Sequence, residues 1–80
     1  LIKIYLKMSK FQPEDIVKYI NSKESVIAII INQIDEPSYS KEVYKVRIIL
    51  HENINAVGYI DFKHEDNLEL LDKEEYDTNN

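Results

Sequence analysis

Eighty residues with one glycine, two prolines and no cysteine allow one small domain, without a disulfide to brace it or a Gly-rich loop to cradle phosphate. A formal net charge of −5 disfavours direct contact with nucleic acid and suits a basic protein partner, or simply solubility. No apolar run reaches the ~20 residues of a membrane span and no signal peptide is visible. A cytoplasmic location is therefore expected, with which the absence of cysteine is compatible.

Residues 1–8 alternate, with Ile2, Ile4, Leu6 and Met8 on one face and Lys3, Tyr5 and Lys7 on the other. Period two with one apolar face predicts a half-buried strand. Residues 13–20 carry the one clear helix pattern. Pro13 suits the first helical position, Glu14 and Asp15 place negative charge at the positive end of the dipole, and Phe11 stands to Ile16 as a hydrophobic staple around Gln12. Ile16, Val17 and Ile20 form an apolar stripe, and Asn21 and Ser22 end the helix. So short a helix is marginal alone and is expected to dock on a sheet.

Residues 26–31 are continuously apolar and rich in β-branched residues, which predicts a central strand covered on both faces. An acidic turn at 35–40 leads to a second alternating strand over 43–50, with Tyr44, Val46, Ile48 and Leu50 inward and Lys45 and Arg47 outward. Another strand is predicted over 56–62, with Gly58 marking a bulge or close backbone approach, and a short last strand over 68–71. The fold class is α+β: an antiparallel sheet of about five strands with one short helix packed against it. Residues 1–71 form the domain and 72–80 an acidic polar tail.

No constellation points to catalysis. Glu14 and Asp15 are adjacent and diverge on a helix, so dipole acids are the better reading. His51 and His64, with Glu65 and Asp66, lack metal-ligand spacing, and no serine stands in a nucleophile elbow. No catalytic residue, metal or cofactor is expected.

Residues 13–25, Pro-Glu-Asp-Ile-Val-Lys-Tyr-Ile-Asn-Ser-Lys-Glu-Ser, resemble the second helix and following turn of the phage and staphylococcal uracil-DNA glycosylase inhibitor family. The downstream order is similar too: an apolar strand, a turn with Asp35 and Glu36, a strand, Ala56 and Val57 with Gly58 to Asp61, and a last strand ending at Leu70 and Leu71. The resemblance implies a DNA mimic that fills the enzyme's DNA cleft and blocks uracil excision. It implies an edge of Lys7, Met8 and Ser9, and a pocket for the enzyme's protruding leucine lined by Phe11, Ile16, Tyr19, Ile20, Ile29, Tyr44 and Val46. Glu14, Asp15 and Glu24 supply charge.

This sequence departs from the family in three places. The glutamate before the serine is replaced by Lys7 and Met8, Lys18 stands where the family has an acid, and the family's first helix has no counterpart. The expected partner is uracil-DNA glycosylase in a bacterial host cell, bound by a monomer in a 1:1 complex, without direct contact to nucleic acid or membrane. The alternatives are an acidic phage antagonist of another host DNA-binding protein, such as a restriction or CRISPR nuclease, and a structural oligomerisation module.

Overall fold

The computed structural model describes residues 10–34 and 43–71. They form five antiparallel strands: β1 (Ile16–Tyr19), β2 (Ile27–Ile34), β3 (Val43–Leu50), β4 (Ile60–His64) and β5 (Leu68–Leu70). The sheet order is β4-β3-β2-β1-β5, a meander whose last strand returns to pair with its first. The antiparallel sheet of about five strands is as expected. The strand predicted over residues 1–8, the acidic turn at 35–40 and the acidic tail lie outside the described residues.

The helix is corrected. Residues 16–19, the heart of the expected helix, are β1, an interior strand paired with β2 on one side and β5 on the other. Ile16, Val17 and Tyr19 fit a pleated surface better than a helix, and a single short helix has too few bonds to compete with two flanking strands. Pro13 serves a turn instead. Asp15 N–H donates to Gln12 O at 3.0 Å, with Pro13 second in the turn and Glu14 third at φ +75°. That is the type II pattern, where proline is favoured and a positive φ is required. Glu14 N–H then donates to Ile30 O at 2.7 Å and Ile30 N–H to Asp15 O at 2.9 Å, so two residues face one across a bulge. Among the described residues the helical content is two 3-10 turns, Ile54–Ala56 and Glu65–Asn67.

The second turn joins β4 to β5 although they lie on opposite edges of the sheet. A flat sheet would hold β1 and β4 about 14 Å apart, three strand spacings. Instead Tyr19 on β1 donates its hydroxyl hydrogen to Asp61 Oδ2 on β4 at 2.7 Å. With only Glu65–Asn67 between β4 and β5, the sheet is curled around its core to bring its two edges together. Phe11, Val17, Ala28, Ile30, Tyr44, Val46 and Leu68 fill that core, with the Phe11 ring edge-on to Tyr44 at 5.3 Å between centroids.

β2 carries Ala28 and Ile30 buried between half-buried Ile27, Ile29 and Ile31, close to the expected doubly covered strand. β3 matches its predicted range, with Tyr44, Val46 and Ile48 inward as expected. Leu50 is corrected: it is 54% exposed. The register passes from Ala28 opposite Ile48 to Ile27 opposite Leu50, and this one-residue bulge at Ile49 turns Leu50 to the outer face. The strand expected over 56–62 starts at Ile60, because Ala56 to Tyr59 are spent on a turn. Gly58 has φ +97° there, and its N–H donates to Ile48 O at 2.7 Å. A Cβ on it would meet nothing within 4 Å, so the backbone angle and not space selects glycine.

Candidate interaction site

The residues named from sequence fall into three groups. Phe11, Tyr44 and Val46 are in the closed core, with Tyr44 and Val46 fully buried. The Tyr44 hydroxyl accepts the N–H of Lys10 at 3.0 Å and of Phe11 at 3.2 Å, which ties the chain before β1 to β3. Ile16 and Ile29 are half-buried and directly opposite each other on β1 and β2. Ile20 is half-buried beyond the end of β1, where its N–H donates to Asn67 O at 2.9 Å. Lys7, Met8 and Ser9 lie outside the described residues.

The acids are the third group. Glu14 is exposed at the tip of the tight turn, and Asp15 is half-buried with its Oδ2 accepting the Gln12 N–H at 2.9 Å. Asp15 thus braces a turn where the helix dipole reading had put it at a helix start. Glu24 is exposed, with Oε1 3.2 Å from His51 Nε2. Because His51 Nδ1 accepts the Asn53 N–H at 2.9 Å, Nε2 is the nitrogen that carries the proton toward Glu24. Lys18 is also exposed and stands opposite Glu69 on β5 at 3.7 Å, a solvent-screened pair of small energetic consequence.

Tyr19 joins a group that the residue types alone did not reveal. It packs against the core, its hydroxyl bonds Asp61, and Lys63 Nζ lies 4.6 Å from its ring centroid. Burial, then the hydrogen bond and negative charge of Asp61, push the Tyr19 hydroxyl well above the ordinary tyrosine range. It remains protonated at neutral pH and acts as a donor.

This contact exposes an inversion in β4. Asp61 and Lys63 stand opposite Val46 and Tyr44, both core residues, so the polar side chains of β4 share the core-side face. Ile60 and Phe62 stand opposite Arg47 and Lys45 on the outer face, where they are 42% and 53% exposed. Leu50, Ile54, Val57 and Tyr59 are exposed apolar neighbours in the chain leading to them. Ile60, Asp61, Phe62 and Lys63 alternate apolar and polar, and register with β3 decides which of the two faces is buried.

Among the described residues no group of three or more His, Asp or Glu could hold a metal ion. No helix among them is long and apolar enough to cross a membrane. Compared with protein-family models, curated proteins and solved structures, the chain matches none.

Proposed function

We propose that this chain is a non-catalytic acidic protein that acts by binding, occupying the DNA cleft of a host enzyme with uracil-DNA glycosylase as the first target. The charge balance of −5 carries the reading, together with the resemblance of residues 13–25 to the inhibitor family. Exposed carboxylates on loops, Glu14 and Glu24 among them, suit a basic cleft that ordinarily meets phosphate. Phe11, Tyr44 and Val46 are shut in the core, so a pocket for a protruding leucine is not part of this proposal. Contact is instead made by the charged rim.

A second reading keeps the mode of action and changes the target to another host DNA-binding protein, such as a restriction or CRISPR nuclease. The strand at Ile16–Tyr19 favours it, since the family's pocket is walled by a helix at the matching residues.

Uracil excision by a bacterial uracil-DNA glycosylase, titrated with the whole chain, tests the first reading. Near-stoichiometric loss of activity is expected. Glu14→Lys with Glu24→Lys should weaken inhibition by roughly tenfold or more at low salt, and by less as salt screens the charges. Full excision at large excess of folded protein transfers the proposal to the second reading. Capture of partners from bacterial lysate then identifies the DNA-binding enzyme or, if none is recovered, removes that reading as well.

A further inference from the structure

The edge strand β4 is built for pairing in one register with itself. Among the described residues it is a terminal strand of the sheet, hydrogen-bonded to β3 on one side. The phase of that ladder is fixed by Gly58 N–H and Tyr59 O, which both bond Ile48. Continuing the alternation through Asp61 opposite Val46 and Lys63 opposite Tyr44 turns the peptide groups of Ile60, Phe62 and His64 outward. Phe62 agrees: its N–H donates to the Asp61 side chain, Oδ1, at 2.8 Å.

An outward edge with apolar side chains on the solvent face is an invitation to another strand. The sequence of β4, Ile60-Asp61-Phe62-Lys63-His64, restricts which strand is accepted. Place a second copy antiparallel, with the two-fold axis at Phe62. Phe62 then meets Phe62 of the second copy, Ile60 meets His64, and each Asp61 meets a Lys63. Centring on Asp61 or Lys63 would keep the outward peptide groups in phase but would oppose like charges at the axis. Inward-facing charges on an edge strand normally prevent indiscriminate pairing. Here they also select one register by charge complementarity.

We propose that two copies of this chain form a symmetric dimer through antiparallel pairing of their β4 strands, centred on Phe62. The Phe62 N–H exchanges its bond to Asp61 Oδ1 for the Phe62 carbonyl of the second copy, and the freed oxygen turns to Lys63 across the pair. Asp61 Oδ2 keeps the Tyr19 hydroxyl. Ile60 and Phe62 of both copies leave water together on the outer face. Five residues from each copy make a short interface, so the dimer forms and dissociates with concentration.

Sedimentation velocity of the whole chain over a wide concentration range reads this first, and a monomer–dimer equilibrium is expected. A monomer throughout overturns the proposal and leaves the edge to a segment of the same chain or to an unrelated partner. The register is read by cysteine cross-linking in a chain that has no cysteine of its own. Two residues at a hydrogen-bonded antiparallel position have Cα atoms about 5.5 Å apart, within disulfide reach. Phe62→Cys should therefore cross-link readily under mild oxidation. Ile60→Cys should not, because its two copies lie about 13 Å apart, four residues along the strand. Equal cross-linking of both variants, or none with Phe62→Cys while the native chain dimerises, overturns the register. Lys63→Asp, folded by circular dichroism, should weaken the dimer at least tenfold; unchanged affinity overturns the charge argument.

Discussion

Replacing Tyr44 by phenylalanine removes one oxygen and tests how the chain before β1 is anchored. The ring is fully buried and its edge contact with Phe11 does not depend on the hydroxyl. What is lost is an acceptor for two backbone donors, the N–H of Lys10 and the N–H of Phe11. Lys10 is exposed, so water replaces its bond at little cost. The Phe11 bond is buried, and a donor stranded there costs about 1–3 kcal/mol. At about 2 kcal/mol, and about 4–8 °C per kcal/mol for a domain of this size, the midpoint should fall by roughly 8–16 °C. Urea unfolding followed by circular dichroism should show a lower midpoint with an unchanged slope, since the native fold and the exposed surface are the same. Stability within about 0.5 kcal/mol of the native chain would refute the anchoring role, because that is the ordinary spread of surface substitutions.

Other expectations follow from single features. Glu14→Gly should stabilise the fold by about 0.5–1 kcal/mol, since relief of a positive φ outweighs the entropy that glycine adds to the unfolded chain; a drop in thermal midpoint would contradict the turn. The Tyr19 hydroxyl is raised in the folded state, so its contribution to stability is complete below the ordinary tyrosine pKa of about 10 and declines as pH rises above that value. Urea midpoints measured from pH 8 to 11 should therefore fall more steeply for the native chain than for Tyr19→Phe, and parallel profiles would remove Tyr19 from the account. Lys18→Ala should change stability by less than about 0.5 kcal/mol, because its pair with Glu69 is solvent-exposed.

Much of the sheet was legible because its signals were local. Residues 43–50 alternate and residues 26–31 are rich in β-branched side chains, and both became strands, the first with its bounds unchanged and the second running on to Ile34. Residues 13–20 misled because each helix signal has a second meaning. Proline opens a type II turn as well as a helix, an aspartate braces a turn as well as a dipole, and Ile16 with Val17 makes a strand when two partners are in reach. A glycine at position 14 would have announced the turn; glutamate there conceals it. The reversal of β4 could not be read from its own alternation, since register with β3 decides the buried face. Of the proposed contact residues, the exposed acids stayed at the surface while Phe11, Tyr44 and Val46 went into the core. Sequence marks a side chain as apolar without saying whether water or its own fold will cover it.

Whether residues 16–19 form an interior strand decides the core and the anchoring of Phe11 together. Proton NMR of the whole chain measures it directly. In an antiparallel sheet the pairs without mutual hydrogen bonds bring their α-protons into close contact. The N–H of Tyr19 bonds Val26 O, and the N–H of Leu71 bonds Ile16 O, which fixes those pairs on each side of β1. Cross-strand α-proton contacts are therefore predicted between Ile16 and Ile29 and between Lys18 and Ile27 toward β2, and between Val17 and Leu70 and between Tyr19 and Leu68 toward β5. Unbroken sequential amide–amide contacts from Glu14 to Ile20, with those four contacts missing, would contradict the account and restore the helix.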